Sequence, residues 1–294
     1  MCIRDSYSKH QNKILELNVK DKYVWVEPGV VLDHLNEYLK PYGLWFPVDV
    51  STSSRATIGG MSANNSCGSR SLYYGNMVHN VLAIEAILDD GSIFTFDQIE
   101  KNYLERKNNQ DRLYKIIDKF IDVRQKVAGD IKDNWPTTQR RVGGYNIDLI
   151  DPNGFNSSNL LVGSEGTLSL FNKIKLKLSE IPKNKILGVC YFNNFHQAME
   201  LAKEIVRLKP TCVELMDQNL FFDLPLLCTC GSACIFIEHR YRLMFVSYLK
   251  IFIQPDFHAC SIPCTLHNCF NVQLSMNNKK SSTHHGVLPG QWTV

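Results

Sequence analysis

The chain has 294 residues, enough for one large domain or two ordinary ones. With 44% apolar and 21% charged residues it has a globular rather than a disordered composition. Its 32 basic and 29 acidic side chains leave a charge of +3, which gives no electrostatic case for nucleic acid or an anionic membrane. No uncharged apolar run reaches the roughly 18 residues that suggest a spanning helix, and no basic region followed by an apolar stretch marks a secretory signal.

In chain order, residues 23–27 alternate as a strand that Pro28-Gly29 stops. Over 30–39, Val31, Leu32, Leu35 and Leu39 fall at helical spacing, and Gly43 follows as a C-terminal stop. A short helix is expected from near Met61. Residues 81–88 form a strand, Asp89-Asp90-Gly91 a hairpin turn, and 92–96 the returning strand. A helix is predicted over 111–128, with Leu113, Ile116, Ile117, Phe120 and Val127 as its apolar stripe. Residues 168–178 form a strand whose end alternates strictly, so that one face is wet. A strand over 188–192 precedes an amphipathic helix over 195–208, capped from Asn193 or Asn194.

After residue 223 the character changes. The first 223 residues carry 54 charges and the last 71 carry seven, yet those 71 hold six of the ten Cys and five of the nine His. Their apolar residues follow no settled period. Cys228, Cys230 and Cys234, then Cys260, Cys264 and Cys269 with His258 and His267, match neither zinc nor iron–sulfur spacing cleanly. The stretch reads as a metal module or, in preference, as a shifted reading frame, and no metal ligand is assigned. The remaining Cys2, Cys67, Cys190 and Cys212 are too scattered for a disulfide framework.

The chemistry concentrates in residues 46–75, FPVDVSTSSRATIGGMSANNSCGSRSLYYG. Short hydroxyls and amides alternate with Gly59, Gly60 and Gly68, which let backbone approach a ligand closely. Such groups suit a phosphate or pyrophosphate. The loop has no lysine, so it is not a Walker-type loop, and no G-x-G-x-x-G follows a strand, which argues against a Rossmann nicotinamide site. On the residues alone, a nucleotide-phosphate site and a glycine-rich structural turn are equally good readings. RRVGGYNID at 140–148 and LLVGSEGTL at 160–168 favour the first.

VEPGVVLDHLNEYLKPYGLWFP, ATIGGMSANNSCG with the following YG, GGYNID and LLVGSEGTLS stand in one order. Together they resemble the FAD-linked oxidases of the vanillyl-alcohol-oxidase/p-cresol-methylhydroxylase (PCMH) type. The likeness is strongest to the D-lactate, glycolate and D-2-hydroxyglutarate dehydrogenases with an iron–sulfur extension. It covers roughly residues 7–223 and implies an α+β fold. A PCMH-type FAD-binding domain, incomplete at its N-terminus, would occupy 7–179, and the beginning of an α/β substrate cap domain 180–223. Residues 1–6 read as a non-native scar, and 224–294 as an out-of-frame or unstructured tail.

The resemblance implies FAD as cofactor. Asp49, Ser51, Thr57, Gly59, Gly60, Asn64 and Gly68 match the loop that wraps its pyrophosphate and ribityl chain. Glu165 and Gly166 match a turn lying against the cofactor, and Tyr145 and Asn146 a stretch approaching the flavin. For Glu165 a turn-fixing role is nearly as good a reading, and for Tyr145 core packing is. Arg70 and Arg141 read as surface or phosphate-facing groups in preference to substrate ligands, and His10, His34, His79 and His196 as structural or exposed.

The activity implied is oxidation of a small D-2-hydroxy acid to the 2-oxo acid by hydride transfer to the flavin. The electrons would pass to a quinone, cytochrome or iron–sulfur partner. Nucleic acid is not an expected partner, and the location implied is cytoplasmic or peripheral to the inner membrane. The R-G-G-G-T-like loop of relatives and their histidine-rich catalytic motif are absent from this sequence. No catalytic residue is therefore assigned, and an inactive fragment that holds little FAD is expected. Two readings compete: a flavoprotein of the same fold without dehydrogenase activity, and a Cys/His metal-binding protein.

Overall fold

The computed structural model describes residues 9–100, 111–138, 140–184, 186–192, 195–217, 233–239 and 272–276. They fall into two units, 1–181 and 182–294.

The first unit is built on a five-stranded antiparallel sheet. β1 (Ile14–Asn18) and β2 (Tyr23–Val26) form a hairpin, and β4 (Val81–Ile87) and β5 (Ile93–Phe96) form another. β8 (Leu170–Lys177) joins them, giving the order β1-β2-β8-β4-β5. Alternation decides which face is wet. On β8, Phe171, Ile174 and Leu176 are buried while Lys173, Lys175 and Lys177 point the other way. The turn between β4 and β5 closes at Gly91 with φ +83°, a conformation that favours glycine.

Helix α1 (Leu32–Leu39) buries Leu32, Leu35 and Leu39 against that sheet. It passes into a 3₁₀ turn over Lys40–Tyr42 and ends at Gly43 with φ +68°. The short strand β3 (Leu44–Trp45) pairs with β9 (Ser179–Glu180). Three short helices follow: α2 (Ile58–Ala63), α3 (Ser71–Tyr74) and α4 (Met77–Asn80). Val24, Val26, Ile58, Met77, Ile84, Ile174 and Leu176 are the centre of the main core.

A second, smaller core lies under α5 (Arg112–Lys126), which Asp111 caps by accepting the Leu113 N–H. Ile117 and Ile121 of that helix pack on Ile99, Ile150, Phe155 and Leu160. The helix expected to end at 128 is instead followed by α6 (Ala128–Asn134). Ile99 and Phe155 belong to the short paired strands β6 (Gln98–Glu100) and β7 (Gly154–Asn156).

In the second unit, β10 (Ile186–Phe192), β11 (Cys212–Asp217), β12 (Ala233–His239) and β13 (Val272–Met276) form a sheet in the order β11-β12-β10-β13. Helix α7 (Phe195–Arg207) buries Ala198 and Ile205, with Val213 and Leu215 of β11 packed against them. Its expected cap at Asn193 or Asn194 lies outside the described residues. The stretch 224–294, in which no period was legible, nonetheless supplies β12 and β13. Cys228, Cys230, Cys260, Cys264 and Cys269, with His258 and His267, lie outside the described residues. Among the described residues, no helix is long and apolar enough to cross a membrane.

Ile174 is fully buried at the centre of the main core. Ile174→Ala is expected to lower unfolding stability by about 2–5 kcal/mol. Lys175→Ala, on the opposite face of the same strand, should cost under about 1 kcal/mol. Urea titration of both variants checks the assignment of faces.

Candidate functional site

The hydroxyl- and glycine-rich loop is organised by its own side chains. Thr57 caps α2, its Oγ1 accepting the Gly60 N–H at 3.3 Å. The helix therefore starts at Ile58, one turn earlier than the expected start near Met61, and Gly59 and Gly60 form its first turn. The two glycines differ. Gly59 donates its N–H to the Pro28 carbonyl at 2.8 Å, and a Cβ there would lie 2.5 Å from Pro28 Cβ. Close packing against Pro28 requires that glycine. Gly60 is exposed, and a Cβ there would meet only Thr57 Oγ1, at 3.2 Å.

Asp49 serves the loop from within. Its carboxylate accepts the Arg70 N–H at 3.1 Å and the Ser69 hydroxyl at 3.0 Å. A side chain at Gly68 would run into the Asp49 carbonyl and carboxylate, so this glycine too is demanded by packing. Ser51 is exposed in a turn, and Asn64 is exposed at the end of α2, where its Oδ1 accepts the Ser66 hydroxyl at 2.5 Å.

Asn65, a small polar residue of the loop that the motif does not assign to the cofactor, is 1% exposed and holds φ +52°. A left-handed asparagine is a known exception among non-glycine residues, and the second Asn of an Asn-Asn pair was the available signal. Its Oδ1 accepts the Val78 N–H at 3.0 Å, and its Nδ2 faces Asn146 Oδ1 at 3.5 Å. Asn146, 2% exposed, donates onward to the Val162 carbonyl at 2.7 Å.

The Gly-Ser-Glu-Gly turn is attached to α2 through backbone hydrogen bonds. Gly163 N–H donates to Ser62 O and Glu165 N–H to Ala63 O, both at 2.9 Å. The turn carries three left-handed residues: Gly163 at φ +84°, Glu165 at +51° and Gly166 at +80°. Glu165 and Gly166 are exposed, and nothing lies within 4 Å of where a Cβ on Gly166 would be. Tyr145, 48% exposed, hydrogen-bonds through its hydroxyl to Thr167 Oγ1 at 2.8 Å. It is therefore not a core residue.

Three segments thus converge. Thr57, Gly60 and Asn64 belong to the α2 loop, Tyr145 and Asn146 to the second segment, and Glu165 and Gly166 to the turn. Asp49 and Gly68 brace the loop from the side, and Ser51 stands apart.

Arg70, Arg140, Arg141 and His79 are engaged within the chain. Arg141 pairs with Asp148 at 2.5 Å and stacks over Trp135, while Arg70 lies 3.9 Å from Asp49 and over Trp45. Arg140 Nε donates to Cys67 Sγ at 2.9 Å. His79 completes the cap of α4, its Nδ1 accepting the Asn76 N–H at 3.0 Å. Desolvation of the ring, aided by the Arg141 charge, holds this imidazole below its ordinary range.

Residues 6–97 match the family model described as an FAD binding domain. This stretch contains the loop from Asp49 to Gly68 but neither Tyr145–Asn146 nor the Gly-Ser-Glu-Gly turn. The chain is 36% identical over 223 residues to the D-2-hydroxyglutarate dehydrogenase of Haemophilus influenzae, covering 72% of this chain and 21% of that protein. Against the D-2-hydroxyglutarate dehydrogenase of Escherichia coli it is 32% identical over 220 residues, with the same two coverages, 72% and 21%. The chain therefore spans about a fifth of the length of these relatives. Its fold is similar to that of alkyldihydroxyacetonephosphate synthase, with a TM-score of 0.51 and 16% identity, covering 78% of this chain and 37% of that one. The chain carries an FAD binding domain of mixed helix and sheet.

The two adjacent glycines should separate on substitution. Gly59→Ala is expected to destabilise the protein by about 1–3 kcal/mol through overpacking. Gly60→Ala, exposed in a helix and meeting only the Thr57 hydroxyl, should change stability by no more than about 1 kcal/mol in either direction. Thermal melts of both variants without cofactor check this. For His79 the folded state binds its proton less readily than the unfolded state, whose imidazole titrates near about 6.5. Its contribution is thus present above that value and lost as pH falls through it. Denaturation midpoints should decline between pH 7 and pH 5, and His79→Gln should flatten part of that decline.

Proposed function

We propose, from a chain that carries an FAD binding domain over residues 6–97, that it is the flavin-holding part of a D-2-hydroxy acid dehydrogenase. The observation that supports this most is the convergence of three glycine-bearing segments on one another, with Gly60 and Gly166 left open to solvent. An exposed helix glycine weakens the helix by about 1 kcal/mol relative to alanine. Packing leaves no room for a Cβ on Gly59 or Gly68, whereas on Gly60 it would meet only the Thr57 hydroxyl, at 3.2 Å. Close approach of a ligand accounts for the glycine there.

The groups present fit the cofactor. Hydroxyls and amides suit a pyrophosphate and a polyol chain, while the N–H groups of residues 58–61 are committed to Val30, Pro28 and Thr57. In this reading Thr57, Gly60 and Asn64 hold the pyrophosphate side, Gly59 seats their helix on Pro28, and Asp49 and Gly68 shape the loop around it, with Ser51 apart. Tyr145, Glu165 and Gly166 border the flavin, with the buried Asn146 amide behind them. Bound FAD supplies the acceptor for the substrate's hydride. The chain's own part is to bind and orient it; no residue here is assigned to the proton transfer.

The substrate class, D-2-hydroxyglutarate, D-lactate or glycolate, is proposed from the relatives and the sequence motifs, as is a quinone, cytochrome or iron–sulfur electron acceptor. So are a cytoplasmic or membrane-peripheral location, the cap assignment of residues 180–223, and the readings of 1–6 as a scar and of 224–294 as an out-of-frame or unstructured tail, within which 233–239 and 272–276 nonetheless form strands. Mixing the anaerobic full-length protein with each hydroxy acid, and separately with NADH, tests the proposal. The expected result is flavin bleaching by at least one D-2-hydroxy acid and none by NADH. Bleaching by NADH alone overturns it.

A further inference from the structure

The buried pair Asn65 and Asn146 joins all three segments of the candidate site, although neither amide faces solvent. We propose that this amide pair is a positioning device, which holds the Gly-Ser-Glu-Gly turn and the Tyr145 segment in register with the α2 loop for cofactor binding. The inference rests on the FAD reading of the same site.

The orientation of both amides follows from their partners. The Val78 N–H is a donor, so Asn65 must turn its oxygen to it, which leaves Nδ2 for Asn146. The Val162 and Asn159 carbonyls are acceptors, so Asn146 must turn its nitrogen to them, at 2.7 and 3.4 Å, which leaves Oδ1 for Asn65. Each amide therefore donates and accepts at once. A carboxylate cannot do so, and an apolar side chain does neither. Gly163 packs into the same junction: a Cβ there would meet Gly144 O at 3.2 Å and Asn65 Cβ at 3.4 Å. The neighbours of the pair in sequence are Asn64 and Tyr145, and Val162 leads directly into the turn.

Asn65→Asp separates positioning from folding. The introduced carboxylate still accepts the Val78 N–H and still tolerates φ +52°, but it faces Asn146 Oδ1 with a second acceptor. Protonation restores one donor, and burial beside a carbonyl raises the pH at which that happens above the ordinary aspartate range. Asn65→Gly, which keeps the left-handed backbone and removes both amide contacts, serves if the first variant does not fold.

Hydrogen exchange is measured on this chain, and FAD affinity on the full-length protein. In Asn65→Asp at pH 7.5, protection of the Gly163 and Glu165 amides should fall at least tenfold while that of β4 and β8 is kept. At pH 5 it should approach the wild-type value at the same pH. FAD affinity should weaken tenfold or more at pH 7.5 and recover in parallel. Unchanged protection of the two turn amides overturns the inference, and so does lost protection with FAD affinity intact; in either case the flavin reading stands. Wild-type full-length protein that takes up no FAD overturns the flavin reading, and the cofactor role of the pair with it.

Discussion

Two backbone hydrogen bonds, from Gly163 N–H to Ser62 O and from Glu165 N–H to Ala63 O, bring parts of the chain about a hundred residues apart in sequence into one site. Such a contact needs main chain to approach main chain without side chains between. The left-handed turn at 163–166 and the close seating of Gly59 on Pro28 meet that need from the two sides. The five-stranded sheet makes it durable. β8 leaves the turn and enters the centre of that sheet, between β2 and β4, while α2 packs Ile58 into the same core. The turn and the α2 loop are thus both anchored to one rigid body. Interiors packed at crystal-like density transmit displacement rather than absorb it.

This arrangement also separates the glycines by purpose. Gly59 and Gly68 serve the protein, as each lies where a side chain would strike another part of the chain, Pro28 or Asp49. Gly60 and Gly166 serve no such contact, and both stand at the surface. Asp49 reads differently in the fold than in the motif. Its carboxylate is committed to the Ser69 hydroxyl and the Arg70 N–H, so it shapes the loop. Arg70 and Arg141, each paired with a carboxylate, are likewise occupied within the chain.

Much of the scaffold was legible because it depends on local chemistry. Alternation over 174–178 gave β8, Asp-Asp-Gly gave the β4–β5 turn, and the stripe from Leu113 to Phe120 gave α5, although Asp111 proves to be its cap and not its first residue. Other elements were not. Two glycines disguise the first turn of α2, because intrinsic propensity argues against a helix there, and the Thr57 cap had to outweigh it. β12 has an unbroken apolar run, Cys-Ile-Phe-Ile, which carries no period of two, and its place between β11 and β10 follows from pairing across the sheet. Within the site, the motif drew attention to exposed Asn64. The structural weight falls on its neighbour Asn65, whose partners lie 13 and 81 residues away. A long-range buried amide leaves no periodic trace.

The central claim is that the α2 loop, the Tyr145–Asn146 segment and the Gly-Ser-Glu-Gly turn act as one cofactor cradle. Hydrogen exchange on the full-length protein, stripped of FAD and then reloaded, tests it most directly. Concerted gain of protection at residues 57–68, 144–146 and 163–167 on reloading is the predicted result. Protection confined to one of these segments, or gained instead at the groove lined by Trp25, Asp97 and Lys175 on the sheet, would contradict it.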